Sequence, residues 1–101
     1  MKREASMSVL FVDDEPMLLR SIAHLLEQAP LEVLTAASGA DALRIFEERP
    51  VDVLVADFDM PRMSGLELLA IVRQQYPSVL RMALTGNATL ERAMTAINEG
   101  E

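Results

Sequence analysis

Three apolar runs in this 101-residue chain end abruptly on side chains that carry oxygen. SVLFV (8–12) runs into Asp13, Asp14 and Glu15, VDVLVA (51–56) into Asp57 and Asp59, and VLRMAL (79–84) into Thr85. Carboxylates gathered within a few ångströms repel, which raises some of their pKa values unless a cation offsets the charge. Mg2+ suits such a place, being a hard ion that takes oxygen ligands in an octahedron, keeps waters and accepts phosphate. A carboxylate can itself attack phosphorus as a nucleophile, and a phosphoryl group in transfer needs cationic stabilisation more than covalent help. The chemistry on offer is metal-assisted phosphoryl capture, with the Thr85 hydroxyl able to donate a hydrogen bond once an acyl phosphate exists. The plainer reading is that the acids only cap the helices that follow. Capping does not ask for oxygens at three matching strand ends.

For these residues to meet, the runs must be neighbouring strands that point the same way. Short β-branched runs read as strands buried on both faces of a parallel sheet, and the stretch from Val51 to Ala56 is broken only by Asp52. Pro61 cannot continue a ladder and biases Met60 towards extended geometry, so the chemistry begins where that strand stops. Between the runs, helical spacing predicts a helix from about residue 16 to 28, opened by Pro16 and stopped by Pro30, with Leu18, Ile22, Leu25, Leu26 and Ala29 along one face. A second strand, LEVLTA (31–36), precedes a helix over 40–48 with Ala42, Leu43 and Phe46 inward, ended by Pro50. A third helix is expected over 65–75 with Leu66, Leu69 and Val72 inward, and a fourth over 88–99. Residues 1–7 read as a loose polar start. Strict β-α alternation with short connections predicts an α/β fold, a doubly wound parallel sheet covered by helices on both faces. In open sheets of this kind ligands bind outside the carboxyl ends of the strands, which is where Asp57 falls.

Composition narrows the function. A chain of this length makes one domain, and no linker or boundary interrupts residues 1–101. The net charge of −7, with Lys2 the only lysine and the arginines scattered, argues against a nucleic-acid surface. No apolar run approaches the roughly 18 residues of a membrane span and no signal-peptide pattern precedes Ser8, so a cytoplasmic location without membrane attachment is expected. The absence of cysteine excludes disulfides and thiolate metal sites. His24, with no partner ligand nearby in sequence, reads as a surface residue, and the methionines read as core filler.

FVDDEP, ADFDMPRMSG and ALTG together resemble the three signature segments of the response-regulator receiver domain of two-component systems. The resemblance runs from Ser8 to Glu101. It implies a flavodoxin-like fold with strand order 2-1-3-4, and a phosphoryl acceptor served by a sensor histidine kinase or a phosphotransfer protein rather than an enzyme with turnover. Under it Asp57 would be phosphorylated, and Asp13 and Asp14 would hold Mg2+ together with Asp57 and the main-chain carbonyl of Asp59. Thr85 would be the switch hydroxyl, Gly86 would keep access to the phosphoryl group open, and Pro61 and Gly65 would shape the loop after the acceptor. Signalling would run through Thr85 and the face of the fourth strand and helix.

The chain also departs from the family's pattern. The family continues into a fifth strand, ending in a lysine that pairs with the phosphoryl group, and a fifth helix, whereas this sequence stops at INEGE. A piece of a longer regulator is the favoured expectation over a naturally shortened receiver. Without that strand the fourth becomes an edge, with Val79, Leu80, Met82, Ala83 and Leu84 partly uncovered, so self-association through the fourth strand or fourth helix is expected. Asp59 adds negative charge two residues past the acceptor. Two other functions compete: a phosphorylation-independent interaction module, and a phosphatase of the haloacid dehalogenase type, which also places Asp-x-Asp after a strand but lacks a reason for Asp13-Asp14.

Overall fold

A computed structural model of the chain describes residues 7–57, 60 and 62–84. The expected fourth helix and the proposed roles of Asp59, Pro61, Thr85 and Gly86 lie outside the described residues. In order, the elements are β1 (Met7–Val12), α1 (Pro16–Leu25), β2 (Leu31–Ala36), α2 (Gly39–Glu48), β3 (Val53–Asp57), α3 (Gly65–Gln75) and β4 (Leu80–Leu84). The four strands form one parallel sheet in the order β2-β1-β3-β4.

Side-chain alternation along the two central strands divides the core into two layers. Val9 and Phe11 of β1 and Val53 and Val55 of β3 point to one face, where Leu19, Ile22 and Leu26 of the α1 segment cover them. Leu10 and Val12, with Leu54 and Ala56, point to the other, against Ala42 and Phe46 of α2 and Leu68 and Val72 of α3. Strands clad on both sides are nearly continuously apolar, and β1 is buried from Ser8 onward and apolar from Val9 to Val12. The two layers put α1 on one side and α2 and α3 on the other. Right-handed crossovers with this strand order place the topological switch point between β1 and β3.

Two helices bury different leucines from those the spacing suggested. In α1, Leu19 and Ile22 face the sheet with Leu26 one turn on, whereas Leu25 is 56% exposed. Residues 19, 22 and 26 share a face at 100° per residue, and Leu18 with Leu25 lies about one residue's rotation away. The helix closes at Leu25 rather than at about 28, and Glu27 and Ala29 donate to carbonyls three residues back in separate turns before Pro30. In α3, Leu68 and Val72 are fully buried while Leu66 is 55% exposed. The end of α3 is tied to α2 by stacking of Tyr76 on Phe46, with ring centroids 4.8 Å apart.

The starts of the strands are fastened by polar groups. The Ser8 N–H donates to the Asp52 carboxylate at 2.7 Å, and the Asp52 N–H returns to the Ser8 carbonyl at 2.9 Å. The Ser8 hydroxyl donates to Glu32 on β2 at 2.8 Å, and the other oxygen of Glu32 meets Arg49 at 2.6 Å. Leu80 at the start of β4 donates to the Asp52 carbonyl at 3.0 Å. Asp52, which interrupts the third apolar run, therefore belongs to this fastening. Ser8, fully buried, has its hydroxyl satisfied by it.

β4 is the outer strand of the described sheet. Leu80 is 41% exposed, and Met82 is half-buried against the α1 layer. Val79, expected to be partly uncovered, is instead buried, because it precedes the strand and packs into the α2/α3 layer near Tyr76.

Candidate metal and phosphoryl site

β1 and β3 pair in register through Val12 and Ala56, so the next residues on each strand are Asp13 and Asp57. The register, not a loop, brings these acids side by side. Asp13 is held from two directions. Its N–H donates to the Ala36 carbonyl of β2 at 3.1 Å, and its carboxylate accepts the N–H of Glu15 at 2.9 Å. Asp14 follows on the exposed rim, and Pro16 then opens α1. One carboxylate oxygen from each of Asp13, Asp14 and Asp57 lies within 4.8 Å of the other two.

Asp13 is only 8% exposed. Burial pushes its carboxyl above the ordinary value of 3.8, the hydrogen bond from Glu15 opposes this, and the charges of Asp57, Asp14 and Glu15 push it further up. A positive ion among these oxygens would relieve that penalty. The donors are all carboxylate oxygens, the chemistry of a hard divalent cation rather than of zinc. The lone histidine, His24, sits exposed on α1 with its Nδ1 3.5 Å from Glu27, remote from this rim.

After β3, Met60 is buried, Arg62 has a left-handed φ of 69°, and Ser64 precedes α3. Ser64 and Glu67 close a capping box: the Ser64 hydroxyl accepts the Glu67 N–H at 3.1 Å, and the Glu67 side chain accepts the Ser64 N–H at 2.8 Å. The S-x-x-E spacing in SGLE was a legible signal for this helix start that hydrophobic spacing alone passed over. Ser38 caps α2 with a single bond, its hydroxyl accepting the Asp41 N–H at 3.1 Å.

A four-stranded parallel sheet with an acidic cluster at its switch point defines a doubly wound domain with an acidic rim whose oxygens could hold a cation. Residues 9–101 match the family described as the response regulator receiver domain, and the chain belongs to that family. Among relatives, the transcriptional regulatory protein GlrR of Escherichia coli is 33% identical over 92 residues, a match that takes up 91% of this chain and 21% of that protein. The chain thus spans about a fifth of that relative's length. Among solved structures, the signal receiver domain of an HD domain-containing protein from Pseudomonas fluorescens superposes with a TM-score of 0.78 at 36% identity, covering 94% of this chain and 76% of the other. The response regulator TrrA of Thermotoga maritima, solved in complex with Mg(2+)-BeF, gives 0.74 at 31% identity, covering 80% and 70%.

Proposed function

We propose that this receiver domain, spanning residues 1–101, accepts a phosphoryl group on Asp57 with Mg2+ held by Asp13, Asp14, Asp57 and the main-chain carbonyl of Asp59. The observation that carries the reading is the approach of the three carboxylates to within 4.8 Å at the sheet's switch point. The donor is a sensor histidine kinase or a phosphotransfer protein, as befits a member of this family, and the site of action is cytoplasmic. No helix among the described residues is long and apolar enough to cross a membrane.

In the reaction an Asp57 oxygen attacks phosphorus, the new O–P bond forms as the P–N bond to the donor's imidazole breaks, and the imidazole keeps the electron pair and takes a proton. The metal ion, when bound, neutralises charge on the transferring group. Asp13 is held by the Ala36 carbonyl and the Glu15 N–H, so its carboxylate enters the site already oriented. Thr85 is the hydroxyl that hydrogen-bonds the product, and Gly86 leaves room for the donor. The domain stores the group and passes on its state through Thr85 and the fourth strand and helix rather than turning over substrate. Two copies associate through β4, the outer strand among the described residues with Leu80 exposed, or through the fourth helix.

Radiolabelled acetyl phosphate, or a cognate kinase, supplied with Mg2+ should label the wild-type chain and leave Asp57→Asn unlabelled. Label retained in that variant would place the acceptor elsewhere and refute the assignment.

A further inference from the structure

We propose that two copies of the chain pair antiparallel through β4 about a twofold axis at Met82, in a register that Arg81 sets. The inference rests on the self-association proposed above, for which it chooses β4 and names the residues that meet.

Backbone groups along a strand point to alternate sides. Leu80 donates its N–H to the Asp52 carbonyl, so Leu80 and Met82 turn their backbone groups towards β3, and Val79, Arg81 and Ala83 turn theirs outward. Val79 has nothing to offer a neighbour. Its N–H donates to the Tyr76 carbonyl at 3.1 Å, and its carbonyl accepts from Arg81 Nη1 at 2.9 Å. The same nitrogen reaches the Pro77 carbonyl at 3.5 Å. Among the described residues, the outward N–H and C=O groups of Arg81 and Ala83 have no partner.

Side chains alternate as well. Arg81 and Ala83 stand beside Leu54 and Ala56 of β3 on the α2/α3 face, and Leu80 and Met82 stand beside Val53 and Val55 on the α1 face. Ala83 is exposed and Met82 half-buried.

An edge with unpaired groups invites another extended chain, and a second β4 fits it under a twofold axis normal to the sheet. Registers centred on Leu80 or on Arg81 both call on Val79, whose groups are taken. The second also sets Arg81 against its own copy, like charge facing like. Centred on Met82, the pairing needs only what the edge offers. Arg81 then faces the other copy's Ala83, and each exchanges an N–H and a C=O with the other. The long side chain lies beside the small one, and the guanidinium groups stay apart. Met82 meets its own copy in the non-hydrogen-bonded pair, with Cα atoms about 4.5 Å apart, and adds apolar contact on the α1 face.

The chain has no cysteine, so a thiol placed on β4 reports only on its own surroundings. Met82→Cys and Leu80→Cys chains at micromolar concentration are oxidised mildly and run on non-reducing gels, with sedimentation of the wild type and circular dichroism of every chain in parallel. Met82→Cys should cross-link into a dimer, because the central pair lies within disulfide reach. Leu80→Cys is on the same face but about 13 Å from its copy along the strand, and should stay uncross-linked. Ala83→Pro removes an outward N–H that the β3 ladder does not use, so it should keep the fold and weaken dimerisation about tenfold or more. If Ala83→Pro fails to fold, the two cysteine chains decide. A wild type that sediments as a dimer while Met82→Cys cross-links no better than Leu80→Cys would overturn the proposal and leave association to the fourth helix. Wild-type dimerisation in a folded Ala83→Pro chain would overturn it too. A monomeric wild type would remove the self-association reading itself, and this proposal with it.

Discussion

Replacing Asp13 by asparagine should make the metal-free protein more stable while destroying its response to Mg2+. Asp13 is the one buried acid of the three, and one of its oxygens lies within 4.8 Å of an oxygen of Asp14 and of Asp57. At that separation like charges repel by about 0.9 kcal/mol in bulk water and about 3.5 kcal/mol at an effective dielectric of about 20. Asp57 is half-buried and Asp14 exposed, so the relief lies towards the lower figure. Asparagine keeps an oxygen to accept the Glu15 N–H, so no hydrogen bond is lost. A gain of about 1–2 kcal/mol follows, and a chain of this length has an unfolding entropy near 0.2 kcal/mol per kelvin, so Tm should rise by about 5–10 °C. In Mg2+ at about a hundred times the dissociation constant, the wild type should gain about 2.7 kcal/mol and the variant almost nothing, reversing their order. The pH dependence has a definite sign. The Asp13 carboxyl sits above its ordinary 3.8, so the stability gained by protonating it is complete below that value and lost as pH rises through the raised one. The advantage of the variant should accordingly shrink as pH is lowered through that window. Thermal melts with and without Mg2+ across pH 3–8 (about the span needed) make the measurement. A metal-free Asp13→Asn chain melting at or below wild type, or equal Mg2+ stabilisation of both, would refute the reasoning.

Two further outcomes are expected. Ser64→Ala removes one half of the capping box and should cost about 1 kcal/mol in urea denaturation, leaving the m-value unchanged. At micromolar concentration the 101-residue chain should sediment as a self-associated species and Met82→Lys as a monomer, since the substitution puts a charge on the outer strand. A monomeric wild type would remove the case for pairing through β4.

Where a strand is clad on both faces, its residues declare it, and β1 and β3 were readable from their apolar runs, whereas the strand order followed from the family resemblance. Placing Asp13 beside Asp57 needed only that order, because parallel register then aligns the residues that follow each run. Helix faces were less legible. Both α1 and α3 carry more leucines than one face can bury, so spacing admits two stripes, and only the position of the sheet selects Leu19 over Leu25 and Leu68 over Leu66. Asp52 looked like an interruption because its partner, the Ser8 N–H, lies 44 residues away.

The polar fastening at the strand starts has a consequence for how the domain opens. Ser8, Glu32, Arg49 and Asp52 join β1, β2, the end of α2 and the approach to β3, and Leu80 adds β4. The opposite rim carries crowded negative charge, and Ser38 and Ser64 cap the helices that start there. Amide exchange should therefore be graded along each strand, slowest at the fastened ends and quickest towards the acids. The sheet behaves like a book bound along one margin: its pages part at the free margin without the volume coming undone, so the acidic rim can rearrange at a cost well below that of global unfolding.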